Sequence, residues 1–221
     1  MLRRLLIVVV GIVVVVAVAV SWLGVAQVPV LSAAFGMDKP RDLQMVQDRA
    51  AFNDFCAKWG LERPSAPANY TLSSKHHWSG SVAIDDTIPE AAIASLREFN
   101  TSNAHLSQIQ FRVHEGFVAM SAFVNVPGYP VSGPMYGEFS IDKTGDHTVT
   151  VDIKHLEFGR IGVPGNVLDT VKTSLDAYLN TTMLQAGITV DTLQLHEGAI
   201  RFKGTWPKTI TADPPNPADI P

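Results

Sequence analysis

Residues 109–122, IQFRVHEGFVAMSA, decide how the chain folds. Ile109, Phe111 and Val113 alternate with Gln108, Gln110 and Arg112, the period of two that a half-buried strand requires. His114-Glu115-Gly116 makes the tight turn, with Gly116 supplying a positive φ. The return strand places Val118, Met120, Ala122 and Val124 on one face and Phe117, Ala119 and Phe123 on the other. A strand that is apolar on both faces is ordinarily covered on both.

The pattern returns at residues 191–204, DTLQLHEGAIRFKG, with the same His-Glu-Gly at the turn. Each hairpin follows a helix opened near a proline. Thr87-Ile88-Pro89-Glu90 reads as a capping box that opens a helix to about Phe99. After Pro164, the helix from Asn166 to about Met183 carries Val167, Leu168, Val171, Leu175, Tyr178 and Leu179 on its apolar stripe. Asp169, Lys172, Thr173 and Asp176 read as its wet face, with Lys172 and Asp176 at i,i+4. A helix and a hairpin cannot bury their apolar faces alone, so two such units are expected to pack together. Convergent use of a common turn is the competing explanation of the repeat. Between the units, Met135–Asp142 and His147–Phe158 read as strands. Val149, Val151 and Ile153 keep one phase and Leu156 and Phe158 the other, so a β-bulge is predicted at Lys154-His155. Upstream, a helix is predicted from Pro40 to Trp59, ended by Gly60, and short strands at Tyr70–Ser73 and Ser81–Ile84.

The N-terminus is of a different kind. Arg3-Arg4 precede an apolar run over residues 5–26, and no charge occurs from Leu5 to Ala34. At about 1.5 Å per residue the run spans the roughly 30 Å hydrocarbon core of a bilayer. Two arginines before it, and Asp38 as the first charge after it, place the N-terminus in the cytoplasm and the rest outside. A cleaved signal peptide is the alternative, but its apolar core is ordinarily about 7–15 residues. The expected organisation is a cytoplasmic tip (1–4), a single-pass transmembrane anchor (5–26), a tether (27–39), an extracytoplasmic α+β domain (40–206) and a disordered proline-rich tail (207–221).

Composition narrows the function by exclusion. The 221 residues carry a net charge of −4 and no basic cluster beyond Arg3-Arg4, which disfavours nucleic acid. The single cysteine, Cys56, excludes an internal disulfide and reads as a core thiol in the 40–59 helix. Among the 7 histidines, His76-His77 are neighbours whose side chains leave opposite faces of a strand, and no metal-ligand spacing appears. No G-x-S-x-G elbow is present, so no catalytic residue, metal or cofactor is expected.

The phrase Leu156-Glu157-Phe158-Gly159-Arg160-Ile161-Gly162-Val163-Pro164, followed by a helix and a hairpin with Glu-Gly at its turn, resembles the YpmS-like family of bacterial membrane-anchored proteins. There a leucine–glycine–x–leucine–proline phrase precedes the late helix; Phe158, Gly159, Ile161 and Pro164 correspond to it, with an extra residue in the loop. More distantly, Ser81–Trp206 is similar to the tubular lipid-binding (TULIP) superfamily. The resemblance implies a bent sheet wrapped around a long helix to leave an apolar groove, and it brings no catalytic residues. The expected fold is therefore α+β: a strongly bent antiparallel sheet, two amphipathic helices on its concave side from a duplicated helix–hairpin unit, and one N-terminal transmembrane helix. The expected function is binding of a lipid or other apolar membrane component in the cell envelope, the bilayer itself being a partner. Phe111, Phe117, Met120, Phe123, Met135, Val167, Val171, Leu175, Tyr178 and Leu179 are the groove candidates. A ligand-free envelope scaffold, with those residues as a solid core between two layers, is the alternative; an extracytoplasmic hydrolase is the third.

Overall fold

A computed structural model describes residues 2–24, 29–45, 48–62, 70–71, 76–93, 99–100, 105–125 and 132–212. In chain order the elements are α1 (Leu2–Leu23), α2 (Pro29–Ala34), α3 (Arg49–Trp59), β1 (Tyr70–Thr71), β2 (His76–Ser79), β3 (Val82–Pro89), α4 (Glu90–Ile93), β4 (Phe99–Asn100), β5 (His105–His114), β6 (Phe117–Asn125), β7 (Ser132–Gly145), β8 (Thr148–Phe158), β9 (Ile161–Gly162), α5 (Gly165–Ala186), β10 (Thr189–His196), β11 (Ala199–Trp206) and β12 (Thr209–Ala212). The fold is α+β with mainly antiparallel sheets. Among the described residues the largest sheet runs β1-β4-β5-β6-β7-β8-β9, a second runs β10-β11-β3, and β2 pairs with β12.

Four long strands, β5 to β8, form the body of the large sheet, and their register sorts its two faces. Val118, Phe139 and Ile153 make one row across β6, β7 and β8; Met120, Gly137 and Leu156 make the next; Ala122, Met135 and Phe158 the third. β5 sets Val113 opposite Val118 and Phe111 opposite Met120. This face is apolar throughout. The other carries Arg112, Glu138 and His155 in one row and Gln110, Ser121, Tyr136 and Glu157 in another. The predicted bulge is present: Glu138 pairs with His155 and Phe139 with Ile153, which leaves Lys154 as the extra residue. A second bulge lies in β5 between Ser107 and Gln110, where Gln108 takes a left-handed φ of 52°. Both bend the sheet.

The outer edges of β5 and β8 are closed by side chains. α5 lies along β8, and Asp176 and Asn180 accept the edge N–H groups of Val151 (2.7 Å) and Val149 (2.8 Å). Lys172 donates to the Val151 carbonyl at 2.6 Å and to Asp176 at 2.9 Å. Residues 172, 176 and 180 follow the i,i+4 row of a helix, so one polar stripe continues the ladder that β8 would otherwise lack. On β5, the Val113 N–H donates to Glu90 Oε2 at 2.8 Å and the Phe111 N–H to Met45 Sδ at 3.4 Å.

The two His-Glu-Gly turns meet each other. His114 Nδ1 lies 3.2 Å from Glu197, and His196 Nδ1 lies 3.3 Å from Glu115. Gly116 N–H donates to the Leu195 carbonyl (3.0 Å), and Gly198 N–H to that of Val113 (2.8 Å). Each contact of one hairpin is returned by the other. Beyond this clasp, β10 reaches the β7–β8 turn, where the Val190 N–H donates to the Asp146 carbonyl at 2.8 Å. The core fills the space so enclosed: Ile84, Val149, Met183, Ala186, Ile188, Val190 and Phe202, with Phe55, Trp59, Ile141 and Leu179 packed against them.

Several expectations need correction. The predicted 40–59 helix starts only at Arg49, because Asp48 caps it by accepting from Ala50 and Ala51 (2.8 and 3.2 Å); Pro40–Met45 is not helical. Thr87-Ile88-Pro89 continue β3, and Glu90 turns its carboxylate to the edge of β5 rather than closing a capping box. The short helix there ends at Ile93, and 94–98 lie outside the described residues. Lys172 and Asp176 are not a wet face: they bond the edge of β8, while Leu179 and Met183 of the same helix pack with Val149 and Ile141 at the upper end of the apolar face. The tail is not wholly disordered: Thr209–Ala212 pairs with β2, while 213–221 lie outside the described residues. The tether contains the helix α2. The apolar run forms α1, but among the described residues no helix is long and apolar enough to cross a membrane, and the side chains of 1–12 are not described.

Asp176 is the most connected of the edge-closing groups. Partial burial pushes its carboxyl up, but the Val151 N–H, Lys172 and Thr150 outweigh that and hold it below its ordinary value of 3.8. Asp176→Ala should cost about 2–3 kcal/mol in denaturant unfolding, since it strands the Val151 N–H and takes the carboxylate partner from Lys172. The depressed carboxyl stabilises the fold fully above pH 3.8, and that part is lost as pH falls through the folded value. The gap between wild type and Asp176→Ala should therefore be constant at neutral pH and narrow on acidification below 3.8.

Candidate functional site

The apolar face of the large sheet is the candidate site. Phe111, Val118, Met120, Met135, Phe139, Ile153, Leu156 and Phe158 are all only half-buried. Alternation along four strands set them on one side, and the two bulges curve that side. The Phe139 ring lies across Gly137, where a Cβ would come within 2.6 Å of it, so the middle of the face is smooth. Its upper end, at Ile141 and Val149, is closed by the core. Beside it, α5 exposes Val167 (43%), Val171 (36%) and Tyr178 (45%), which share one line of the helix.

The structure divides the ten candidates. Phe111, Met120 and Met135 share the apolar face, Phe111 and Met120 being direct cross-strand partners. Leu175 is half-buried and Leu179 packs against the core, while Val167, Val171 and Tyr178 point outward. Phe117 and Phe123 leave the other face of β6: Phe117 stacks on His114 at 4.8 Å beneath the Lys154 ammonium, and Phe123 faces Ser107 and Pro134. The face also contains Phe139, Ile153, Leu156 and Phe158, which the sequence reading did not list as site residues. Their alternation was visible; the pairing of β7 with β8 that aligns them with Met120 was not.

The opposite face mixes Gln110, Arg112, Tyr136, Glu138 and Glu157 with Phe117, Ala119 and Phe123, and Arg41 and Leu43 of the segment 37–45 reach onto it. The Arg41 guanidinium lies 3.8 Å over the Tyr136 ring and donates to Glu157 at 2.6 Å; the Leu43 N–H donates to Gln110 at 2.9 Å. Tyr136 donates to Glu138 at 2.7 Å, and His155 lies 3.3 Å from Glu157. Partial burial, then Glu138, raises the Tyr136 phenol above its ordinary value of 10.0, against the pull of Arg41. These groups hold the segment to the sheet. They come from distant parts of the chain, and only strand register brings them together.

Two hollows lie elsewhere. One of about 300 Å³ lies along Asp169, Thr170, Thr173 and Ser174 of α5. One of about 180 Å³ lies between Trp59, Ile84, Asp191 and Lys203. Neither is lined by residues of the apolar face. Among the described residues no group of three or more His, Cys, Asp or Glu side chains could hold a metal ion. Cys56 is buried in α3.

Ser121, between Gln110 and Tyr136 on the opposite face, is wholly buried, and its hydroxyl has no hydrogen-bond partner among the described residues. Ser121→Ala should leave stability unchanged or raise it by up to about 1 kcal/mol, because the orphaned group is removed together with its desolvation cost. Thermal and denaturant unfolding of the pair measure this. No protein-family model matches the chain, and no curated protein matches it.

Proposed function

We propose that this protein is a non-enzymatic, membrane-anchored envelope protein that binds an acyl lipid against the apolar face of its large sheet. The observation that carries the reading is that face: eight large apolar side chains in register, from Phe111 to Phe158, none fully covered by the protein's own chain. The opposite face is the one that Arg41 and Leu43 reach onto. Contiguous apolar surface left partly accessible in this way marks a binding surface. An acyl chain gains about 0.8 kcal/mol per methylene removed from water, so an open face suffices for useful affinity.

The anchor is the run over residues 5–26, with α1 as its helix and the domain outside the cytoplasm. A duplicated helix–hairpin origin is supported by the reciprocal contacts of the two His-Glu-Gly turns, which unrelated hairpins have no reason to make. The resemblance of residues 81–206 to the YpmS-like and TULIP proteins is a further motive for the reading.

Lipid extraction and mass spectrometry of the full-length protein purified from membranes tests the reading. About one acyl lipid per chain is expected above the level of a control anchored protein. Leu156→Glu, which sets an unpaired charge on the half-exposed face where folding tolerates it, should lower that yield at least tenfold. Wild type carrying no lipid above the control, or Leu156→Glu carrying as much as wild type, would overturn it.

A further inference from the structure

The apolar face is closed by the core at one end and meets the end of α1 at the other. Its upper rows run into Ile141, Val149 and the core. Its lower row, Met135 and Phe158, ends beside Gly133 and Gly159, and there the last turn of α1 is packed. A Cβ on Gly133 would collide with the Gly24 carbonyl oxygen, and one on Gly159 with that of Leu23. A Cβ on Gly24 would lie 2.8 Å from the Gly159 Cα. Three glycines thus let two backbones touch where side chains would hold them apart. The Arg160 N–H donates to the Leu23 carbonyl at 2.8 Å, its guanidinium to the Phe35 carbonyl at 3.1 Å, and its Cζ stands 4.9 Å over the Trp22 ring. The end of the apolar helix is therefore keyed into the mouth of the apolar face, not hung on a slack tether.

We infer that the site loads directly from the bilayer that holds α1, and that its ligand is a membrane amphiphile lying with its acyl chain up the sheet and its polar head at the Arg160–Trp22 corner. This rests on the reading of the face as a lipid site. The upper end offers a head group only apolar core, where a charge is costly to bury. The lower corner offers an exposed guanidinium and an indole that is 48% exposed, a side chain suited to the headgroup level. From Phe158 to Ile153 the strand covers about 15 Å, room for a stretch of one acyl chain.

The test uses full-length protein in phosphatidylcholine vesicles doped with phosphatidylcholine carrying a diazirine at either the acyl terminus or the head group. Photo-crosslinked peptides are mapped by mass spectrometry. The tail probe should label the Phe139–Ile153 rows, and the head probe residues near Arg160. Gly133→Ala, which lies outside the left-handed region and whose Cβ meets first the Gly24 carbonyl and then, at 3.3 Å, the rim of the Phe158 ring, should cut tail labelling at least fivefold while circular dichroism stays unchanged. Undiminished tail labelling in Gly133→Ala overturns loading through the joint. Tail and head probes labelling the same rows overturns the orientation and leaves lipid binding standing. No labelling of the wild-type face by either probe overturns both readings.

Discussion

A strand at the edge of a sheet carries backbone groups that must find partners, and here side chains supply them. Val149 and Val151 on β8 are taken by Asn180 and Asp176, and Phe111 and Val113 on β5 by Met45 and Glu90. Leaving a buried N–H unpaired costs about 1–3 kcal/mol, and bonds to charged groups sit at the strong end of the range. The placement of α5 follows. To bring residues 172, 176 and 180 to the edge, one side of the helix must lie against β8, while Leu179 and Met183 reach only its upper end at Val149 and Ile141. Its lower apolar positions, Val167 and Val171, then stay exposed, and the sheet's apolar face stays half open. The same arrangement blocks the edge pairing with other chains that exposed strands invite.

The clasp between the turns sets the second constraint. Gly116 and Gly198 take positive φ angles of 78° and 71°, which frees each N–H to donate across to the other hairpin. The flanking His–Glu pairs are exposed and contribute little each. The backbone bonds fix where β10 crosses the top of the large sheet. Asp86 does a similar service for α3: although burial pushes its carboxyl up, Lys58, Trp59 and Thr87 hold it below its ordinary value while tying the helix to β3. Closing the top in this way leaves only the lower part of the apolar face uncovered.

Much of this was readable in the order of residues. The hairpin over 109–122, the bulge at Lys154, the strands of the second hairpin and the helix after Pro164 all follow from period and turn chemistry. What was not readable is what each face meets. Lys172 and Asp176 at i,i+4 look alike whether they stand in water or complete a strand's ladder. Glu90 three residues after Thr87 fits a capping box equally well, until β5 lies within reach of its carboxylate. Phe117 and Met120 are both apolar residues of β6, but odd and even positions leave opposite faces, and Arg41 of the 37–45 segment reaches onto one of those faces. Thr209–Ala212 lacked any signal except a partner strand, His76–Ser79, that was not itself foreseen. Periodicity groups residues on a face; register and distant partners decide its use.

The claim beneath these relations is that α5 closes the edge of β8 and thereby leaves the sheet's apolar face open. Native-state hydrogen exchange of the Val149 and Val151 amides measures it most directly. Both should exchange as slowly as the paired amides of β7, and Asp176→Ala should release Val151 selectively. Fast exchange at both positions in the wild-type protein would contradict the account, because α5 would then lie elsewhere and the open face would not exist.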